Sequence, residues 1–125
     1  MEVISHRRQW RWFTPLQEQP ITKKEFAALP KDAQAHLYVV MKKYATNTHQ
    51  RRHVKHIDGP IHEIRASLGN NQYRVLFFNP TPVHSIALRV FYKDTSRIPK
   101  QDLDIAKDRM SEWIRHNELH SKYNK

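Results

Sequence analysis

IHEIRASL (61–68), QYRVLFFN (72–79) and SIALRVFYK (85–93) are three apolar runs separated by Gly69-Asn70-Asn71 and by Pro80-Thr81-Pro82. Runs this short, rich in β-branched and aromatic residues and broken at hairpin spacing, predict strands, and the three together predict a meander. Side chains alternate along a strand. Glu63 and Arg65 therefore share one face of the first run, Arg74 falls in phase with Leu76 and Phe78 on the second, and Arg89 and Lys93 fall in phase with Phe91 on the third. Each strand carries a cation where a sheet buried on both sides would carry none, and connectivity makes the three strands neighbours. The expectation is a concave basic face able to hold a phosphodiester. Arg offers a two-pronged fork to phosphate oxygens, Lys a point charge, and Tyr92 a ring on which a base can stack; Glu63 among the cations is a candidate base.

On the N-terminal side, Thr22-Lys23-Lys24-Glu25 has the capping-box pattern and predicts a short helix ending near Leu29. Pro30 disfavours helix at the residue before it and can open the next one. Ala33, Leu37, Val40, Met41 and Tyr44 then fall on one helical stripe, with Lys42 and Lys43 off it. Trp10 to Leu16 reads as a short edge strand, barred from the sheet interior by Pro15. His49 to His56 is basic or titratable at nearly every position and reads as a solvated loop. Its Arg51, Arg52 and Lys55 are candidates for RNA or ribosome contact, with plain solvation as the alternative. His49, His53 and His56 imitate metal-ligand spacing, but no carboxylate or Cys completes the set, so no metal is expected. Beyond the meander, a last helix is expected to open near Pro99, with Leu103, Ala106, Met110, Trp113 and Ile114 on one face, and residues 117–125 are expected to fray. The reading is one α+β domain over residues 1–125, with 1–20 as an N-terminal extension or edge strand.

Composition narrows the function. The 125 residues include 22 Lys or Arg against 12 Asp or Glu, a formal charge of +10, which points to an anionic partner and allows one modest core. The absence of Cys excludes disulfide scaffolds, Cys-ligated zinc, iron–sulfur clusters and thiol catalysis, and fits a reducing compartment, the cytoplasm. No stretch has the length of apolar residues a membrane span needs, and the start lacks a signal-peptide core, so no membrane partner is expected. With two Gly, there is no glycine-rich phosphate loop and no nucleotide cofactor of that kind.

Several motifs occur in a recognisable order. They are Lys23-Lys24-Glu25-Phe26, Ala28-Leu29-Pro30, Glu63-Ile64-Arg65, Tyr73-Arg74-Val75-Leu76-Phe77-Phe78, Phe91-Tyr92-Lys93-Asp94-Thr95 with Pro99, and Ala106 with Arg109. Over residues 21–115 the chain resembles HigB-type toxins of the RelE/ParE superfamily, in their phage-derived Gp49-like branch. The resemblance implies a RelE-like fold: two N-terminal helices on one face of a small, twisted, mainly antiparallel sheet, the active site on the opposite concave face, and a C-terminal helix. It also implies an mRNA endonuclease that acts on translating ribosomes without metal or other cofactor, the ribose 2′-OH attacking the adjacent phosphorus. By motif, the family's catalytic cations fall on Arg65, Arg74 and Lys93, and Glu63 stands where relatives place a lysine or a catalytic glutamate. The Tyr or His acid that some members carry near the chain terminus has no clear counterpart, and Asp94 stands where many have a basic or amide residue. The implied partners are a cognate antitoxin of helix-turn-helix, HigA-like type, the ribosome and mRNA, with operator DNA reached through the antitoxin complex. ParE-like relatives share the fold yet inhibit gyrase, so a gyrase-directed toxin and a small basic nucleic-acid-binding phage protein stand as alternative readings.

Overall fold

The structure, a computed structural model, describes residues 7–15, 19–93 and 99–123, with backbone alone from 118 onward. Leu16, Asp94 and Thr95 lie outside the described residues. In chain order the elements are β1 (Gln9–Trp12), α1 (Ile21–Ala27), α2 (Lys31–Ala45), a 3-10 turn (Arg51–His53), β2 (Val54–Asp58), β3 (Ile61–Leu68), β4 (Asn71–Phe78), β5 (His84–Lys93) and α3 (Lys100–Tyr123). The fold is α+β. β2 to β5 form an antiparallel meander and β1 adds to the outer edge of β5 in parallel, giving the order β1-β5-β4-β3-β2. Gly69, at φ +60°, occupies the left-handed conformation that the tight β3–β4 turn requires.

Both sheet faces are covered. The expected α2 stripe packs Ala33, Leu37, Val40 and Met41 on Ile64, Ala66, Tyr73, Val75 and Phe77. On the other face α3 brings Ala106, Leu103, Met110 and Trp113 against Leu76, Phe78, Ile86 and Leu88. Two helical layers explain why Tyr73 to Phe78 is buried at every position instead of at alternate ones. The face expected to be open and concave is thus partly occupied by α3.

Three local expectations need correction. The segment 49–56 is not wholly loop: Val54 and Ile57 are half-buried and anchor β2, while Lys55 and His56 face water. An edge strand buries little, and exposed charge keeps it from pairing with other chains, so such a strand looks like loop in sequence. The capping box does not form. α1 starts at Ile21 after Pro20 with no side-chain cap, the Thr22 hydroxyl donates to the Phe13 carbonyl at 3.3 Å, and Glu25 turns away to the sheet. Finally, the N-terminal strand spans Gln9–Trp12 and ends before Pro15. Trp10 ties it to α2 by donating from Nε1 to the Met41 carbonyl at 2.8 Å.

Glu25 joins α1, β5 and α3. Its Oε1 accepts the Val90 backbone N–H and Arg109 Nη1, each at 3.0 Å, while Oε2 pairs with Arg109 Nη2 at 2.9 Å and with Arg89. A β-bulge lies here, because Leu76 pairs with Arg89 but Phe77 with Ala87, leaving Leu88 extra. The bulge lets consecutive residues address α3: Leu88 enters its core and Arg89 Nε donates to Asp102 at 2.8 Å.

Candidate active site

Strand register builds the site. Arg65 lies directly opposite Arg74, and Arg74 opposite Phe91, so two guanidinium-bearing residues are cross-strand neighbours on one face. Like charges so placed repel unless an anion intervenes. Glu63, two residues before Arg65 on the same face, supplies it: Oε1 stands 3.0 Å from Arg65 Nε and 3.3 Å from Arg74 Nε. The two contacts are ion pairs, and the buried Arg74 Nε–H makes no hydrogen bond. Arg74 instead donates from Nη1 to the Tyr73 carbonyl at 3.3 Å and from Nη2 to Gln72. Glu63 Oε2 accepts no hydrogen bond.

Burial sets the electrostatics. Glu63, Arg74 and Lys93 are 1%, 2% and 2% exposed, whereas the Arg65 side chain keeps 32%. Lys93 falls in register with Gln72, and Lys55 stands opposite Glu63. Burial pushes the Lys93 ammonium below the usual lysine range; Glu63 opposes that shift, and Arg74, Arg65 and Lys55 add to it. Burial likewise lowers the Arg74 pKa, with Glu63 opposing. Three cations gathered at one buried carboxylate make a local excess of positive charge suited to an anionic ligand.

Access comes from the side. The β2 ladder stops where Val54 meets Ile64, and next to Arg65, Ala66 and Ser67 a cleft of about 800 Å³ opens between β3, α2 and the 3-10 turn. Arg65, Arg74 and Gln72 line it, and Glu63, in contact with both arginines, does not. The opposite wall is His36, Val39, Val40 and Lys43 of α2, and Arg52 with His53 closes one end. Burial, then Arg52, Lys43 and His49, push the His53 pKa down.

Of the residues singled out from sequence, the structure brings Glu63, Arg65, Arg74 and Lys93 onto one stretch of sheet, with Lys55 beside them and Arg52 in the adjoining cleft. Arg51 is exposed and does not line the cleft. Arg89 shares the face but is committed to Glu25 and Asp102. Tyr92 points to the other face, its ring 5.6 Å from Tyr73 and its hydroxyl donating to Asn71 at 3.2 Å. The stacking role expected for it beside the cations is therefore corrected: it follows Phe91 by one residue and so faces the other way. Sequence reading missed Gln72, His36, Val39, Lys43 and His53. Gln72 was reachable by alternation from Arg74, and His36, Val39 and Lys43 share one helical stripe, but nothing local said that this stripe meets β3.

The architecture is that of a RelE-like α+β toxin, with an anion-seeking cluster set into the face of its sheet. The family model for phage-derived Gp49-like proteins (DUF891) matches residues 24–111. Two proteins named "Probable endoribonuclease HigB1", from Mycobacterium tuberculosis strains CDC 1551 / Oshkosh and ATCC 25618 / H37Rv, are each 38% identical over 107 residues, 85% of either chain. The chain belongs to the Gp49-like family and is a HigB-type toxin.

Proposed function

We propose that this HigB-type endoribonuclease cuts mRNA on translating ribosomes, by attack of a ribose 2′-OH on the adjacent phosphodiester without a metal ion, and that a cognate antitoxin silences it. The observation that carries the reading is the Glu63 carboxylate held by Arg65 and Arg74, the two arginines that line a cleft of nucleotide-binding size. The relatives named as probable endoribonucleases support it.

In this reading a phosphate entering the cleft competes with Glu63 for Arg65, the cluster cation that solvent reaches most easily. As that guanidinium turns to the phosphate, Glu63 takes the 2′-OH proton. The 2′-oxygen–phosphorus bond forms while Arg65 and Arg74 stabilise the charged phosphorane. The phosphorus–5′-oxygen bond then breaks, and Lys93, made more acidic by burial, protonates the leaving oxygen. The products are a 2′,3′-cyclic phosphate and a 5′-hydroxyl. Cations already gathered at the phosphate supply the charge stabilisation that a metal would otherwise bring. The +10 charge and the exposed Arg51, Arg52 and Lys55 suit ribosomal RNA. The antitoxin is of helix-turn-helix, HigA-like type, operator DNA is met through that complex, and the site of action is the cytoplasm. Among the described residues, no helix is long and apolar enough to cross a membrane.

The test is purified protein, chelator-treated, added to ribosomes translating a defined message or to the same message naked. Cuts confined to the translated message and ending in 2′,3′-cyclic phosphate are expected. Equal cutting of naked message would remove ribosome dependence, and no cutting of either would remove the nuclease reading.

A further inference from the structure

The cleft has a second wall for which the phosphate chemistry has no use. On α2, Ala33, Leu37 and Val40 turn into the core, and the adjoining stripe of His36, Val39 and Lys43, at i, i+3 and i+7, turns into the cleft. Val39 stays 48% exposed, an apolar side chain facing solvent one helical turn from Lys43. Ala66 and Arg52 line the same cleft, and Arg52 and Lys43 both lie close enough to His53 to act on its charge. At about 800 Å³ the cleft is far larger than one phosphate group. An apolar patch flanked by cations matches a nucleotide: the base face needs an apolar surface, and the backbone needs positive charge.

We infer that this α2 wall is a nucleotide subsite, in which the base next to the scissile phosphate lies on Val39 and Ala66 while the strand's next phosphate meets Lys43 and Arg52. The inference rests on the reading that Arg65 and Arg74 hold the scissile phosphate. His53, held neutral by its depressed pKa, offers one ring donor and one ring acceptor to the base edge. The subsite would therefore impose a base preference beside the cut.

The test is fluorescence anisotropy with a 2′-O-methyl RNA hexamer, which has no free 2′-OH and stays intact. Val39→Glu and Lys43→Gln change exposed positions on α2, so both variants should fold, as a thermal melt will check. Each should weaken hexamer binding roughly tenfold, the scale of one base or phosphate contact, and Lys43→Gln should flatten the salt slope by about 0.7. Affinities within twofold of wild type, or no saturable binding by wild type, would overturn the subsite. So would variants that lose antitoxin binding while keeping the hexamer, since the wall would then serve a protein partner. If wild type cuts ribosome-bound mRNA and Val39→Glu leaves the bases flanking the cuts unchanged, the subsite fails and the reaction stands. If wild type cuts nothing but hexamer binding is lost in Val39→Glu, the subsite stands and the reaction fails.

Discussion

Replacing Glu63 by Gln keeps the side-chain shape and removes the negative charge held by Arg65 and Arg74 beside Lys93. Breaking a fully buried ion pair costs about 3–5 kcal/mol. Here the cost should be smaller, about 2–3 kcal/mol, because the Arg65 side chain, 32% exposed, can turn to water. Domains of this size are stable by roughly 5–15 kcal/mol, so the variant keeps at least about 2 kcal/mol and is more than about 95% folded at 25 °C. Unfolding therefore accounts for a few per cent of any lost activity, whereas loss of a general base lowers the rate by about 10² to 10⁴. The assay is single-turnover cleavage of ribosome-bound message, with urea unfolding on the same preparations. The ammonium of Lys93 should also titrate lower in the variant, because Glu63 is the group that opposes its downward shift. Full cleavage by folded Glu63→Gln would refute the general-base role and leave Glu63 as an ion-pair partner of the two arginines.

Replacing Arg51, Arg52 and Lys55 together by Gln should weaken ribosome binding and flatten its salt dependence by about two to three units of slope, read from binding isotherms at several salt concentrations; an unchanged slope returns the segment to solvation. Glu25→Ala strips the Val90 N–H, Arg89 and Arg109 of a shared acceptor and should cost about 3 kcal/mol in urea unfolding, with a loss below 1 kcal/mol counting against the network. His62 is shifted down from its ordinary value near 6.5, first by burial and further by His56 and Arg8, against a hydrogen bond with the Pro60 carbonyl. The unfolded chain then binds more protons as pH falls through 6.5, so stability drops there, and His62→Phe should shrink the difference between urea midpoints at pH 7.5 and 5.5.

Legibility in the sequence followed the range of the interactions. Alternation along β3 was enough to put Glu63 and Arg65 on one face, since the step is two residues in one strand, whereas Arg74 joined them through the cross-strand register that sets it opposite Arg65. The α2 stripe was equally local. Arg89 was in the right phase, but its fate depended on Glu25 and Asp102, which are 64 and 13 residues away in the chain. β2 was hidden because an edge strand beside water can carry Lys55 and His56 without burying them. The cleft was hidden for a related reason: it exists because β2 stops opposite Ile64 while β3 continues to Leu68, a mismatch in strand length that no motif records. The capping-box residues were read locally, yet Thr22 and Glu25 found partners in distant segments, and those tertiary bonds displaced the local pattern.

The most direct test of the central claim is to express wild type and Arg74→Ala without antitoxin and map RNA ends across the transcriptome, with a chemistry that reports 2′,3′-cyclic phosphates. Arg74 lines the cleft and contacts Glu63, so its loss should remove about 3–4 kcal/mol of transition-state stabilisation. The account predicts cuts within translated reading frames for wild type, a fall of a hundredfold or more in their frequency for Arg74→Ala, and cyclic phosphate at the new ends. Growth arrest by wild type with intact messages and gyrase-linked DNA breaks would contradict it.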